Sequence, residues 1–242
     1  IGEISNAISS MLQRIHEMSE KQIESIKNSK EAVIKLREAE FEALQNQINP
    51  HFLYNTLDSI RMKALVNKDM EVSEMVRVLS KLFRISITKG NKIVPVKEEI
   101  EHVRCYLEIQ KFRFKNKIDF LFDVEEEVLE HKVIKLLLQP IVENAIVHGL
   151  EPKYEGGYVS IVASNKKDEL MFEICDNGVG ISAEKLDALS EALNRFDSSN
   201  DSIGLLNVNH RIRHYYGEAF GITLYSEINV GTRVIIRVPV RR

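Results

Sequence analysis

Apolar residues at Ile1, Ile4, Ile8, Met11, Ile15 and Met18 alternate steps of three and four, the period of a coiled coil. The seam slips phase near Gln22 and resumes at Ile26, Val33 and Leu36, in the manner of a stutter. An ordinary amphipathic helix is the plainer alternative; the narrow stripe and charged flanks favour a dimer seam. Over residues 41–66 the apolar face widens to Phe41, Leu44, Ile48, Phe52, Leu53, Leu57, Ile60 and Ala64. Asn67-Lys68-Asp69 reads as a turn, and 70–87 repeats a helical pattern through Val72, Met75, Val76, Leu79, Leu82, Phe83 and Ile85. Two such helices on a short connection predict an antiparallel hairpin, and two copies of the hairpin a dimeric four-helix bundle.

The period then changes. Lys89-Gly90-Asn91-Lys92 punctuates the chain, and Val94-Pro95-Val96 reads as an extended linker. Beyond it the pattern predicts a helix (97–113), a strand (118–124), a helix (133–148) and two strands (158–163, 169–175). Helices near 182–194 and 205–215 and two strands (221–227, 231–238) follow. Alternating strands mixed with helices predict an α+β chain whose second part is a layered α/β sandwich with helices on one face. The expected domains are a signalling coiled-coil helix (1–40), a helical hairpin (41–92) and a sandwich domain (93–242).

Composition narrows the possibilities without choosing among them. The 242 residues are 44% hydrophobic and 29% charged, enough for a buried core plus exposed helix. A net charge of −3 argues against a nucleic-acid partner or an anionic membrane surface. Cys105 and Cys175 lie far apart without CxxC spacing, which reads as two reduced thiols rather than a disulfide or zinc site. No apolar run is long enough to span a bilayer. The chain opens on Ile1 inside a helical pattern, so we expect a fragment of a longer protein.

One segment breaks its own pattern. Gln45-Asn46-Gln47-Ile48-Asn49-Pro50-His51-Phe52-Leu53-Tyr54-Asn55 sets a proline inside a helix, where it removes a hydrogen bond and kinks the backbone. The kink presents His51, whose ring can act as nucleophile, base or metal ligand near neutral pH.

Four further segments suggest a nucleotide site. Gln139-Pro140-Ile141-Val142-Glu143-Asn144-Ala145-Ile146-Val147-His148-Gly149 is an apolar helix face interrupted by Glu143, Asn144 and His148. The Asn144 amide oxygen is a hard ligand suited to Mg²⁺. Cys175-Asp176-Asn177-Gly178-Val179-Gly180-Ile181 ends a strand in a turn whose glycines allow close backbone approach to a ligand. Asp176 there can accept a hydrogen bond from an exocyclic amine. Ser202-Ile203-Gly204-Leu205-Leu206-Asn207-Val208 opens a helix with free N–H groups, and Gly231-Thr232 starts the last strand. Singly, each has a plain reading: a polar helix face, a hairpin turn, a glycine cap.

In this order and spacing the four resemble the N, G1 and G2 boxes and terminal Gly-Thr of the GHKL ATP-binding fold. That fold is shared by histidine kinases, type II topoisomerases and MutL-like ATPases. The Asn-Pro-His-Phe-Leu-Tyr-Asn segment resembles the phosphoacceptor motif of LytS/YesM-type sensor histidine kinases. The resemblance covers about residues 40–240 and implies ATP and Mg²⁺ as cofactors. It makes His51 the phosphorylated residue, Asn144 the Mg²⁺ holder and Asp176 the reader of the adenine amino group. His148 and Leu205 fall in the same nucleotide-binding boxes. Gly178, Gly180 and Gly204 would shape the pocket and lid, Asn207 would lie near the phosphates and Thr232 under the adenine. Residues 181–203 would be a mobile lid.

Three positions depart from that pattern. Val147 stands where a phosphate-facing lysine is common, Ser202 replaces the first glycine of the G2 box, and Leu206 replaces a frequent basic residue. The expectation is weak nucleotide affinity or a disordered lid. Pro140 stands where ATP-hydrolysing members of the fold carry a water-activating glutamate, which favours transfer to a side chain over hydrolysis. Asn55, one turn after His51, and Gln47, one turn before it, are placed to hold the ring tautomer; Glu143 is a base candidate. His210 and His214 alternate with Arg211 and Arg213 and read as a solvated basic face.

The resemblance implies the cytoplasmic core of a membrane sensor kinase, acting as a homodimer. It would pass phosphate to a response regulator and meet the membrane only through segments absent from this chain. The rivals are an ATPase of the same fold and a degenerate kinase acting as a dimeric scaffold.

Overall fold

The computed structural model describes residues 50–87, 92–115, 117–153, 156–194 and 204–240. The expected seam at 1–40, the kink before Pro50, Gln47, the Lys89-Gly90-Asn91 punctuation, Ser202 and the lid residues 195–203 lie outside the described residues. The chain divides into two compact units, Ile1–Asn55 and Thr56–Arg242. Of the first, Pro50–Asn55 are described; they are the start of helix α1 (Pro50–Val66).

Helix α1 stops where the sequence turns polar. The N–H groups of Asn67 and Asp69 reach back to Lys63 O and Ala64 O at 3.0 and 2.9 Å, and Lys68 takes a left-handed φ of 58°. Asp69 then caps the next helix by accepting the Val72 N–H at 3.1 Å. Helix α2 (Met70–Ile87) follows, with Val76 and Val78 buried.

The sequence pattern makes α1 and α2 the packing pair. In the structure α2 instead takes α3 (Val96–Arg113) as its main helical neighbour. The contact is specific: Lys81 pairs with Glu101, and Lys135 Nζ donates to Ser86 O at 3.2 Å. His102 Nε2 meets Ser86 Oγ at 2.8 Å. Because the Ser86 hydroxyl already donates to Leu82 O, His102 is the donor in that pair. Burial pushes the His102 pKa down to about 4, so a neutral ring sits in this contact.

The Val94-Pro95-Val96 stretch is no free linker. Strand β1 (Ile93–Pro95) pairs antiparallel with β3 (Lys132–Ile134), and Val96, fully buried, already begins α3. The main sheet has the order β2-β4-β5-β7-β6, from β2 (Ile118–Val124), β4 (Gly157–Lys166), β5 (Glu169–Asp176), β6 (Gly221–Glu227) and β7 (Gly231–Pro239). Only β2 and β4 run parallel, since a long crossover joins them; the other neighbours are antiparallel. Leu170, Phe172 and Ile174 of β5 point into the core, while Met171, Glu173 and Cys175 between them stay partly exposed. The core face meets Leu107, Ile141, Ile146 and Ile212 from the helices, all within one buried cluster. The architecture is thus the expected α+β layering, with β2 added in parallel at one edge.

The predicted helix 133–148 starts later than its pattern suggests. β3 takes Lys132–Ile134, and a fixed segment, Lys135–Leu138, precedes the helix. The carboxylate of Glu99, 2% exposed on α3, accepts the N–H groups of Leu136, Leu137 and Leu138 at 2.6, 2.8 and 3.1 Å. From the other side Arg211 donates to Leu136 O at 3.1 Å and to Lys135 O. Leu136 has a left-handed φ of 58°, unusual for a leucine and tenable because its neighbours are pinned.

Candidate functional site

Helix α4 (Gln139–Asn144) begins at the end of this pinned segment, with Pro140 in its first turn, where a missing N–H costs little. It widens into a π-helical turn at Ala145–Leu150, and the Glu151 N–H bonds Ile146 O at 2.8 Å across that wider spacing. Val142 and Ile146 are fully buried, which turns Glu143, Asn144 and His148 to the opposite side. There a cleft of about 820 Å³ opens over the ends of β5 and β7.

The cleft gathers residues far apart in sequence. Glu143, Asn144, His148, Asp176, Gly180, Gly204, Leu205 and Thr232 all line it, with Ile174, Leu224 and Val234 as apolar wall. Asp176, at the end of β5, is 8% exposed. Burial pushes its carboxyl pKa up, opposed by N–H bonds from Gly178 and Thr232 and by the charge of Lys153. The Gly178 bond to Asp176 Oδ1 is 2.8 Å.

Backbone proximity, rather than flexibility, explains the glycines. A Cβ on Gly180, whose φ is 70°, would stand 2.0 Å from Glu227 O; one on Gly204 would stand 3.1 Å from Asn144 Nδ2. Gly178 does not line the cleft. A Cβ there would lie 2.3 Å from the Gly149 carbonyl carbon, so the turn packs on the end of the π-helical segment. The Val179 N–H donates to Gly149 O at 2.9 Å across the same contact. Asn207, in the first turn of α6 (Leu205–Tyr216), is exposed and outside the lining. The departures Val147 and Leu206 are also outside it, so neither puts an apolar group into the cleft.

The donor set suits a hard cation carried in with phosphates. Mg²⁺ commonly takes one or two protein oxygens and fills its shell with phosphate and water. Asn144 offers an amide oxygen, and Glu143 a carboxylate whose Oε1 accepts the Gln139 amide at 2.7 Å. Among the described residues no cluster of His, Cys, Asp and Glu forms an all-protein metal site.

On α1, Asn55 Nδ2 lies 3.3 Å from His51 Nδ1 and 3.5 Å from Nε2, an i, i+4 contact on an exposed face. Sequence reasoning assigned Gly149 no role of its own and counted residues 181–203 as a mobile lid; residues 183–194 form α5 (Ala183–Asn194), whose Lys185 and Leu189 line the cavity together with Ser182 just before the helix. The helical spacing of positions 182, 185 and 189 was the available signal. It carries no motif.

Residues 39–118 match the family model of the histidine kinases, and residues 130–242 that of the histidine kinase-, DNA gyrase B- and HSP90-like ATPases. The sensor histidine kinase YesM of Bacillus subtilis is 38% identical over 240 residues, covering 99% of this chain and 39% of that protein. The sensor histidine kinase BtsS of Escherichia coli K12 is 34% identical over 207 residues, covering 85% and 34%. The sensor protein LytS of Bacillus anthracis is 33% identical over 208 residues, covering 84% and 34%. The chain spans less than half the length of these curated relatives. Among the described residues no helix is long and apolar enough to cross a membrane.

Proposed function

The chain belongs to the sensor histidine kinases of the LytS/YesM type, and from that premise we propose that ATP bound in the cleft phosphorylates His51. The observation that carries the reading is convergence. Segments around 140–149, 174–182, 204–205 and 232–234 line one cavity, although the sequence scatters them over nearly a hundred residues. In our assignment Asp176 accepts a hydrogen bond from the adenine amine, with Thr232 beneath the ring. Gly180, Gly204 and Leu205 shape the walls, and Asn144 and His148 face the phosphates. Gly178 acts by seating the turn on Gly149. Asn207 is assigned to the phosphate end. Mg²⁺, held by Asn144, screens the phosphate charge when bound.

His51 attacks in its neutral form. Asn55, whose amide Nδ2 lies 3.3 Å from the ring Nδ1, is assigned to hold the ring tautomer. The ring nitrogen that carries the lone pair forms a bond to the γ-phosphorus while the bond to the bridging oxygen breaks, and ADP leaves with the electron pair. Glu143 is the assigned acceptor of the proton that the ring must then lose. The phosphoryl group passes to an aspartate of a response regulator. The active species is a homodimer through the 41–92 helices, and segments outside this chain hold the sensor and membrane anchor.

Incubation with γ-labelled Mg·ATP tests the reading. Wild type should take up acid-labile, alkali-stable label, and His51→Gln none. An unlabelled wild type that is folded and dimeric would favour the scaffold reading.

Acid should weaken nucleotide binding. The Asp176 pKa is raised, so its acceptor form is lost at a higher pH than for a free aspartate, as pH falls through the folded value. Titration calorimetry with Mg·ATP from pH 7.5 downward should show affinity dropping on the acid side in wild type. In Asp176→Asn, affinity should be low throughout and flat with pH.

A further inference from the structure

The cleft proposed to take an anion has two carboxylates in its lining. Its ionisable lining consists of the carboxylates of Glu143 and Asp176, the His148 imidazole and Lys185. Among the described lining residues, Lys185 is the lysine or arginine. It is placed there by the helix, not by chance extension of a surface chain. Positions 182, 185 and 189 share one face of α5, and all three line the cavity. On the adjoining face Leu186 and Leu189 pack against the core, and Leu193 is 4% exposed within it, so the face cannot rotate away without exposing apolar surface. An ammonium on the wall of the cavity offers positive charge to whatever fills the space.

We propose that Lys185 is the cation that receives the polyphosphate of the bound nucleotide. The inference rests on the nucleotide reading of the cleft and adds to it the residue that distinguishes a nucleoside triphosphate from a nucleoside. Mg²⁺ neutralises part of the phosphate charge. Among the described residues lining the cleft, Lys185 is the lysine or arginine available to oppose the remainder. A lysine suits this task because its ammonium acts as a compact point charge on a flexible stem, able to follow the phosphates as the ligand settles. Lys185 is exposed in the free protein, so its replacement leaves folding unchanged.

Calorimetry on wild type, Lys185→Gln and Lys185→Glu, each titrated with Mg·ATP and with adenosine at two salt concentrations, tests this. Lys185→Gln should weaken Mg·ATP binding by about tenfold, Lys185→Glu by more, and both should bind adenosine as wild type does. The salt dependence of Mg·ATP binding should be shallower in Lys185→Gln. Equal losses for ATP and adenosine, or no loss for either, would overturn the proposal while leaving the nucleotide reading intact. A wild type that binds neither ligand would overturn both.

Discussion

Gly231→Ala is expected to destabilise the protein by about 3 kcal/mol or more and to abolish nucleotide binding. The residue has a φ of 135°, outside the range that side chains tolerate, and a Cβ there would stand 1.9 Å from Asp176 O. The obstacle is backbone, so no rotamer change relieves it; β5 and β7 must separate where Asp176 pairs with Thr232. That pairing sets the depth of the cleft floor. Gly217→Ala is the matched control. Its φ of 99° and ψ of 165° lie in a region that side chains rarely adopt, but nothing lies within 4 Å of the added atom, so backbone strain of about 1–3 kcal/mol is its whole cost. Urea denaturation of the two variants side by side checks the difference. Similar midpoints would mean that the sheet yields at Asp176 more readily than its packing implies.

The second large effect belongs to Glu99. Glu99→Ala leaves the N–H groups of Leu136, Leu137 and Leu138 without their acceptor in a segment where Leu137 and Leu138 are fully buried. Each orphaned donor costs about 1–3 kcal/mol, less where water can enter, so a loss of about 3 kcal/mol or more is expected. Glu99→Gln keeps the carbonyl but sets an amide NH₂ against donors, and should recover only part of it. Because the pinned segment leads directly into α4, hydrogen exchange should quicken at Val142–Ile146 as well as at 136–138. Arg211→Ala, which frees the carbonyl side of the segment from an exposed position, should show the same exchange pattern with a smaller stability loss. Exchange confined to residues 136–138 would disprove the connection to the site.

The boundaries of most elements could be read from hydrophobic period alone, because each buries one face. α2, α3, β2 and β5 fall within a residue or so of the expected spans. What failed were places where the backbone obeys distant partners. Lys132–Ile134 reads as the start of a helix until β1 is there to pair with it, and Leu136 is left-handed only because Glu99 and Arg211 hold it. The parallel edge β2–β4 has no local signature either, since parallel pairing is decided by the crossover. At the site, the motif residues were legible because their chemistry is unusual in context: two glycines after an aspartate, a proline before a histidine. Gly149 and Lys185 were not, being ordinary residues made functional by what packs opposite them. His51 and Asn55 were visible as a spaced pair, and the structure brings Asn55 Nδ2 within 3.3 Å of the ring.

The π-helical turn at Ala145–Leu150 makes the site intolerant of changes in length. Asn144 must face the cleft while Gly149 presses on the Gly178 turn, and only the wider winding lets both happen at this number of residues. A splice that grafts this region from a relative will work when it preserves the residue count between those two positions, whatever identities it brings. One residue fewer would tighten the turn to an ordinary helix and swing Gly149 out from under Asp176. Chain length, more than side-chain chemistry, is therefore the inherited property at this point of the molecule.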